Sequence, residues 1–207
     1  MLGALRQLNP SLKSLRAGNF KKGLDFGHNP QEKILGIFGM GRIGRAIKKH
    51  VEPFGIQTRY HNCSPISPEQ AAGAEYVSSG KLLSKSDIIS INIPLTANTK
   101  GLIGTKEIAQ MKEGVVLVNT ARGAIIDEAA MADALNSGRI ASVDVYENEP
   151  VVNEKLVKNE RALLVSYLGT HTVETLAKME SWAMENARRV VLGEKLLSTV
   201  PEQVNSQ

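Results

Sequence analysis

Short apolar runs alternate with amphipathic stretches along most of the chain. The first run, Lys33–Phe38 (KILGIF), is typical of a buried strand, and the spacing of apolar positions in Arg42–Phe54 predicts a helix that ends near Gly55. The same pattern predicts further strands at Ile56–His61, Ile88–Ile93, Val115–Asn119, Ile140–Tyr146 and Ala162–Val165. Strands that alternate with helices in this way form a parallel sheet covered on both faces, so we expect an α/β fold.

The segments between these strands are predicted to be helices and a loop. Helices are predicted at Lys81–Ser86, Lys106–Met111, Asp127–Asn136 and, the longest, about Thr172–Leu192. Ser64–Gly73 contains two prolines and is expected to be a loop. We expect residues 1–31 to form a hinge or extended arm, residues 32–193 to form one domain, and residues 194–207 to form a C-terminal tail.

Composition excludes several classes of protein. The chain is 42% hydrophobic and 22% charged, which is typical of a globular protein, and no apolar run approaches the roughly 20 residues of a membrane helix. A net charge of +4 without basic residues interleaved with aromatic ones is a weak signal for nucleic acid. Cys63 is the only cysteine, so we expect neither a disulfide framework nor a metal site. Neither a nucleic acid nor a membrane is expected as a partner.

The start of the chain is basic. Residues 1–24 contain five basic side chains and no acidic one, a composition found in mitochondrial transit peptides and also in basic hinge helices. No cleavage-type boundary precedes the first strand, which favours the hinge. With its single cysteine, the chain is expected in the reducing cytoplasm, and the mitochondrion is the alternative.

A glycine motif, GMGRIG, lies between the first strand and the first helix of the sheet and is a complete G-x-G-x-x-G. In this context Gly39 permits a tight turn, Gly41 lets a pyrophosphate approach the backbone, and Gly44 lets the helix pack close to the strand. The helix start, at Arg42 and Ile43, offers free N–H groups to phosphates. The motif predicts a Rossmann, doubly wound parallel sheet that binds a dinucleotide. A glycine-rich turn without a ligand is the alternative.

The end of the second strand bears on the choice of cofactor. An NAD site usually has Asp or Glu there, which binds the 2′-hydroxyl of the ribose, whereas this chain has Asn62. A neutral side chain does not repel a 2′-phosphate, but no arginine follows to bind one. The nearest basic side chains, Arg59 and His61, alternate onto the other face of the strand. We therefore predict NAD(P) as the cofactor, with NADP favoured.

Five collinear segments are more specific than the glycine motif alone. They are GMGRIGRA (Gly39–Ala46), SDIISINIPLTANTKGLIG (Ser86–Gly104), VLVNTARGAIIDEAA (Val116–Ala130), DVYENEP (Asp144–Pro150) and LGTHTVET (Leu168–Thr175). Together they resemble the D-isomer-specific 2-hydroxyacid dehydrogenase family, most closely its fungal glyoxylate/hydroxypyruvate-reductase-like branch. The resemblance implies reversible hydride transfer between a nicotinamide and a small 2-keto acid.

The resemblance also implies functions for particular residues. Arg122 resembles the arginine that binds substrate, and a planar, permanently charged guanidinium suits a keto acid because it makes fork-like contacts. Glu149 resembles the carboxylate that orients the catalytic histidine. The implied cofactor cleft contains Pro94, Thr99, Thr120, Ala121 and Asp144, the last on the nicotinamide side. From the residues alone, Arg122 as a surface ion pair, Glu149 as a solvated acid and Asp144 as a strand-end cap remain open.

Three features depart from the family pattern. The family's acid–base histidine follows a proline, and this chain has Ser166-Tyr167 there. A phenol holds its proton too tightly to exchange it readily near neutral pH, and His171 is not expected to replace the histidine. Strand Ile140–Tyr146 is two residues shorter than in the family. We also expect the chain to lack the lobe that family members carry before the hinge.

The sequence therefore predicts an NAD(P)-dependent reductase of a small 2-keto acid such as glyoxylate or hydroxypyruvate, impaired by Tyr167 and by the missing lobe. Two other classes remain open, a non-catalytic dinucleotide-binding module and an NAD(H)-sensing interaction protein. If the hinge arm is intact, we expect a homodimer.

Overall fold

The computed structural model describes residues 1–138, 140, 141 and 146–199, apart from the side chain of Ala141. The chain divides into two compact units, Met1–Ser166 and Tyr167–Gln207. The first unit contains the sheet, and the second contains the long C-terminal helix. The candidate site described below is built from residues of the first unit.

Six strands of the described residues form one parallel sheet. They are β1 (Ile34–Phe38), β2 (Gln57–His61), β3 (Glu75–Tyr76), β4 (Ile88–Ile91), β5 (Val115–Asn119) and β6 (Ile140–Ala141). Their spatial order is β3-β2-β1-β4-β5-β6, and every neighbouring pair is parallel. This order confirms the predicted Rossmann, doubly wound sheet. Because the order reverses between β1 and β4, a ligand is expected at the carboxyl ends of these two strands.

Helices connect and cover the strands. They are α1 (Leu2–Leu5), α2 (Leu8–Arg16), α3 (Arg42–Val51), α4 (Pro68–Ala71), α5 (Ser79–Lys85), α6 (Thr105–Gln110), α7 (Glu128–Asn136), α8 (Glu154–Lys158) and α9 (Val173–Val191). Turns of 3₁₀ helix lie at Glu52–Phe54, Gly123–Ile125 and Leu168–Thr170. Several helices begin at a side-chain cap: Asp127 accepts the N–H of Ala130 at 3.0 Å and so starts α7.

The sheet is buried on both faces. Leu35 and Ile37 of β1 and Ile88 of β4 belong to one apolar cluster, whereas Ile89 and Ile91 of β4 belong to the other. All five side chains are fully buried. Because side chains alternate along a strand, the two clusters hold the central strands from opposite sides. The loops at the carboxyl ends of β1 and β4 therefore begin from fixed positions.

The strand predicted at Ala162–Val165 is wrong. This segment has no strand structure, and two of its carbonyl oxygens accept from side chains instead of a neighbouring strand. Asn9 Nδ2 donates to Ala162 and the Tyr146 hydroxyl donates to Val165, both at 2.9 Å. These long-range hydrogen bonds satisfy the two carbonyl oxygens without pairing to a neighbouring strand.

Three other segments differ in part from the prediction. The expected extended arm contains the helices α1 and α2, and Leu5 of α1 is buried in the cluster that covers β1. The predicted loop Ser64–Gly73 contains α4, and the two-residue strand β3 was not predicted. For the predicted strand Ile140–Tyr146, the first two residues are strand, and residues 142–145 lie outside the described part of the chain.

Asp87 joins three strands at the amino edge of the sheet. Its Oδ2 accepts the N–H of Ile34 in β1, and its Oδ1 accepts from Lys112 Nζ, both at 2.8 Å. Its carbonyl oxygen accepts the N–H of Val116 in β5 at 3.0 Å. Partial burial raises the pKa of the Asp87 carboxyl, but the hydrogen bonds from Lys112 and Ile34 outweigh burial and hold that pKa below its ordinary value of 3.8.

Asp87→Asn is expected to lower the free energy of unfolding by about 1–2 kcal/mol at pH 7, because the amide loses the charge that both donors bind. A lowered carboxyl pKa stabilises the fold above pH 3.8, and this contribution is lost as the pH falls below that value. Urea unfolding at pH 7 and pH 3 should therefore show the difference between wild type and variant shrinking in acid. Asp133→Asn, which removes an exposed pair with Lys155, is the control. Equal costs for the two variants at pH 7 would contradict the prediction.

Candidate functional site

The glycine motif forms a tight turn between β1 and α3. Gly39 has a φ of 91°, in the left-handed region that favours glycine. Its N–H donates to the carbonyl oxygen of His61, the last residue of β2, at 3.0 Å. A Cβ at this position would lie 2.6 Å from the carbonyl oxygen of Asn92, just beyond β4. Glycine therefore lets the turn pass closely between the ends of β2 and β4.

Gly44 and Gly41 have different surroundings. A Cβ at Gly44 would overlap the carbonyl oxygen of Gly39 and lie 3.0 Å from Ile37 Cγ2, so the first turn of α3 packs directly on β1. At Gly41 the φ is −78°, and a Cβ would meet no described atom within 4 Å. Neither the backbone conformation nor packing within the chain requires glycine there. The open space fits a ligand that approaches the backbone closely, as a pyrophosphate does.

The first turn of α3 supplies hydrogen-bond donors next to that space. No side chain of the described residues caps its N–H groups, and a helix N-terminus carries a partial positive charge. Arg42 and Ile43, two of the predicted cofactor contacts, are exposed on this turn. The turn, the open space and the helix N-terminus together fit a phosphate-containing ligand.

Asn62 connects the end of β2 to the glycine motif. Its Oδ1 accepts the N–H of Met40 at 2.7 Å, and its main-chain carbonyl oxygen accepts from the hydroxyl of Tyr76 at 3.2 Å. Asn62 is half-buried, so part of its side chain remains accessible. Asn62, which is predicted to contact the ribose, is thus fixed next to the glycine motif by hydrogen bonds from Met40 and from Tyr76.

The basic side chains of β2 are bound to β3 and to the segment after it. Arg59 Nε donates to Glu75 at 2.8 Å, and His61 Nδ1 lies 2.8 Å from the carbonyl oxygen of Val77. The His61 ring also stacks on Tyr76, with 6.0 Å between ring centroids. Neither basic side chain is therefore directed toward Asn62 as a further anion ligand.

The loop that follows β4 is folded around Thr99. Thr99 Oγ1 donates to the carbonyl oxygen of Pro94 at 2.6 Å and accepts the N–H of Thr96 at 2.7 Å. At the start of this loop, Asn92 Oδ1 is buried and has no hydrogen-bond partner in the described part of the chain. Pro94 and Thr99, both predicted for the cofactor cleft, therefore belong to one compact turn beyond the carboxyl end of β4.

The loop that follows β5 is shaped by Asn119. This fully buried residue donates from Nδ2 to the carbonyl oxygen of Arg122 at 2.9 Å and accepts the N–H of Ala121 at 3.0 Å. Thr120 and Arg122 are exposed on the resulting turn. Asn119 lies in the family-like segment Val116–Ala130 but was not among the residues predicted for the site. A polar residue at the end of an apolar strand is the signal that could have indicated it.

Two loops that carry predicted catalytic residues are in direct contact. A Cβ at Gly123 would overlap the carbonyl group of Tyr146 and the nitrogen of Glu147. Glu149 Oε1 accepts the N–H of Tyr146 at 3.0 Å. The structure therefore brings the loop with Arg122 and the loop with Glu149 together at the carboxyl edge of the sheet.

Glu128 holds the second of these loops. It lies in the first turn of α7, is only 7% exposed, and accepts the N–H of Glu147 on Oε2 at 2.8 Å. A buried carboxylate needs such partners, and here the partner is the backbone of the Glu149 loop. Glu128 was not predicted for the site either, because nothing in the sequence distinguishes it from other acidic residues in first helical turns.

Comparison with known proteins agrees with this geometry. The family model described as D-isomer specific 2-hydroxyacid dehydrogenase, NAD binding domain, matches residues 1–169. The chain belongs to this family. The cofactor of its Rossmann unit is therefore a nicotinamide dinucleotide, as predicted.

Relatives in the 2-hydroxyacid dehydrogenase family are similar over nearly the whole chain. 4-Methyl-2-oxopentanoate reductase A of Aspergillus oryzae is 48% identical over 99% of this chain and 63% of the relative, and glyoxylate reductase 1 of Saccharomyces cerevisiae is 46% identical over 99% and 61%. The crystal structure of a glyoxylate reductase from Paecilomyes thermophila has a TM-score of 0.93 and 48% identity, covering 98% of this chain and 62% of that one. The chain thus spans about three fifths of the length of these relatives.

Three further positions of the family pattern lie outside the described part of the first unit. Asp144 lies outside the described residues. Tyr167, which the resemblance implies stands at the position of the family's histidine, has a φ of 57° and is 51% exposed in the second unit. His171, also in that unit, is exposed and ends a 3₁₀ turn.

Among the described residues, no helix is long and apolar enough to cross a membrane. No group of three or more potential metal-ligating side chains is found there either.

Proposed function

We propose that the chain is the cofactor-binding part of an NAD(P)-dependent reductase that transfers hydride between a nicotinamide and a small 2-keto acid such as glyoxylate or hydroxypyruvate. The observation that carries the proposal is the contact between the Arg122 loop and the Glu149 loop at the edge of the sheet that also carries the glycine motif. A doubly wound sheet binds its dinucleotide at this edge. The relatives named as glyoxylate reductases support the choice of substrate.

Arg122 is the proposed substrate-binding residue. Asn119 forms hydrogen bonds with the main chain of Ala121 and Arg122, so the exposed Arg122 side chain is attached to a fixed turn at the end of β5. A guanidinium can bind the carboxylate and the keto oxygen of one substrate molecule by parallel hydrogen bonds. The bound nicotinamide supplies or accepts the hydride. Thr120 and Ala121, together with Pro94 and Thr99, are proposed to contact the dinucleotide.

Glu149 is proposed to orient the group that exchanges a proton with the substrate oxygen. The N–H of Tyr146 binds its Oε1 and leaves Oε2 as the acceptor for a further hydrogen bond. In the family this carboxylate orients a histidine, and the resemblance implies that Tyr167 stands at its position in this chain. A phenol exchanges protons poorly near neutral pH, so we propose that turnover by this chain is impaired.

A second proposed function is dinucleotide binding without catalysis, either as a binding module or as an NAD(H)-sensing interaction protein. The pair Ser166-Tyr167, where the resemblance implies a proline and the catalytic histidine, favours it. The two proposals differ in whether hydride reaches a substrate. They agree that a nicotinamide dinucleotide binds at the glycine motif.

We further propose NADP(H) as the preferred cofactor, since Asn62 adds no negative charge at the ribose, and the homodimer as the assembly. Large apolar side chains of the N-terminal segment are exposed, among them Leu15 by 59%, Phe20 by 67% and Phe26 by 96%, and a second copy of the chain would cover them. The cytoplasm is the proposed location, in keeping with the single cysteine.

Deuterium transfer tests the proposed function even when turnover is slow. The chain, at a concentration similar to that of dinucleotide carrying deuterium at the reactive ring carbon, is incubated with glyoxylate, and glycolate is analysed by mass spectrometry. We expect glycolate with one deuterium on carbon. Arg122→Gln should lower its yield by about tenfold or more, because the substrate carboxylate loses an ionic hydrogen bond.

Reactions without protein are the background for this measurement, and dinucleotide binding by Arg122→Gln is the control that its cofactor site is intact. Deuterated glycolate at the same yield from wild type and Arg122→Gln would contradict the assignment of Arg122. Dinucleotide binding without any deuterated glycolate would contradict the reductase and support the binding module.

A further inference from the structure

A cavity of about 180 Å³ lies at the amino edge of the sheet, opposite the edge that carries the glycine motif. Val116 and Ile140, where β5 and β6 begin, line it together with Leu5 of α1. None of these three side chains is more than 4% exposed, so the floor of the cavity is apolar. The volume is below the roughly 300–1,000 Å³ of pockets for drug-sized ligands, so the cavity fits a small molecule and not a dinucleotide.

Long-range hydrogen bonds fix the backbone on two sides of this cavity. On one side, the main-chain N–H of His28 donates to the carbonyl oxygen of Leu5 at 2.8 Å. On the other side, Asn9 Nδ2 donates to the carbonyl oxygens of Glu160 and Ala162, both at 2.9 Å. The N-terminal segment is thus bound at both sides, and the cavity is a built feature of the first unit.

The exposed side of the cavity carries the guanidinium of Arg161. A Cβ at Gly138 would lie 2.6 Å from Arg161 Nη1, so the guanidinium lies over this glycine. Arg161 Nη2 lies 3.8 Å from Asp25 Oδ2, and the guanidinium makes no hydrogen bond within the described part of the chain. Because the two side chains are 58% and 77% exposed, this ion pair is weak, and another carboxylate can take the place of Asp25.

His28 adds a donor on the same side. Its ring lines the cavity and makes no hydrogen bond to any described residue, and an imidazole has an N–H to donate in either tautomer. A planar guanidinium binds both oxygens of a carboxylate. Arg161 and His28 therefore offer donors for an anionic group beside an apolar floor.

We propose that this cavity is a second ligand site, which binds a small aliphatic carboxylate. The carboxylate replaces Asp25 beside Arg161 and accepts a hydrogen bond from His28, while the alkyl group covers the apolar floor. Arg122 and the glycine motif lie at the other edge of the sheet, so the inference does not depend on the proposed function.

Titration of the ¹⁵N-labelled chain with 3-methylbutanoate, followed by the amide signals in NMR spectra, tests this site. We expect saturable shifts at Gly114 and Gly138, which line the cavity, with a dissociation constant of about 1 mM or below. The signals of the glycine motif should not move. Acetate, which has the charge without the branched alkyl group, should bind at least about tenfold more weakly, because it buries less apolar surface.

Two substitutions on the exposed side should change the affinity for 3-methylbutanoate in opposite directions. Arg161→Gln should lower it about tenfold or more, because the carboxylate loses a charged donor. Asp25→Asn should raise it about twofold to fivefold, because the competing carboxylate is removed. Lys158→Gln is the matched control: it removes the same charge from an exposed pair with Glu154 and should bind like wild type.

Arg122→Gln distinguishes this cavity from the proposed substrate site, and it should bind 3-methylbutanoate as tightly as wild type. Loss of binding in Arg122→Gln but not in Arg161→Gln would overturn the inference and assign the carboxylate to the substrate site. Shifts that do not saturate, equal affinities for acetate and 3-methylbutanoate, or weaker binding by Asp25→Asn would overturn it as well. Circular dichroism identifies a loss of folding in any variant. Failure of wild type to bind NADPH would contradict the proposed function and leave the carboxylate result standing.

Discussion

Oxidation of NADPH by glyoxylate is expected to become faster in a defined order among four proteins. The order is this chain, its Tyr167→His variant, a fusion of this chain to the substrate lobe of a full-length relative, and the same fusion with Tyr167→His. A histidine at this position is proposed to supply proton transfer, which is typically worth about 10²–10⁴-fold. A substrate lobe is proposed to supply positioning, and well-oriented binding can supply about 7–11 kcal/mol of the barrier. Because positioning is the larger effect, Tyr167→His alone should rescue little.

Steady-state rates of the four proteins, with both glyoxylate and hydroxypyruvate, are the measurement. The fusion carrying Tyr167→Phe is the control, since it removes the phenol hydroxyl without adding a base. Brisk turnover by the unmodified chain would contradict the predicted order and would make Tyr167 or His171 a working acid. No activity in the fusion with Tyr167→His, with dinucleotide binding intact, would favour the binding module.

Gly41→Asp is expected to abolish binding of NADH and NADPH, with a loss of at least about 100-fold in affinity. A side chain at this position meets open space within the chain, so the variant should fold, but its carboxylate lies where we propose that the pyrophosphate binds. Two negative charges brought together without water between them cost several kcal/mol. Calorimetry with both dinucleotides measures the loss.

Gly80→Asp is the control for Gly41→Asp. It adds the same carboxylate to α5, where a Cβ has only an ordinary contact of 3.6 Å with Gln110. Its melting temperature and its affinities should match those of wild type. Undiminished dinucleotide binding by Gly41→Asp would mean that the glycine motif is not the cofactor site.

The part of the fold around the glycine motif was predictable from local sequence. The apolar run of β1 and the glycines after it lie within about ten residues of one another, so a local pattern is enough to predict both the strand and the turn. The structure has them where they were predicted. By contrast, β3 has two residues, too few for any alternation to indicate a strand. The apolar run at Ala162–Val165 resembled a strand, but distant side chains bind its carbonyl oxygens.

The candidate site, too, could be predicted only in part from local sequence. The family resemblance indicated Arg122 and Glu149, but their proximity depends on Gly123, whose neighbours are more than twenty residues away. Glu128 was missed because its function lies in binding the backbone N–H of Glu147, a contact that exists only after the chain has folded. Asn119 was missed although one local signal, a polar residue at the end of an apolar strand, could have indicated it.

The contact between Gly123 and the Tyr146–Glu147 peptide also has a consequence for exchanging parts between relatives. Even a methyl group at Gly123 would push the two loops apart, and Glu128 binds the second loop from the same segment of chain. The loop with Arg122 and the loop with Glu149 therefore form one packed unit. A chimera that takes residues 120–128 from another family member without residues 146–150 would pair two loops whose contacting surfaces do not match. We expect the proposed substrate preference to be transferable between relatives only when both loops are exchanged together.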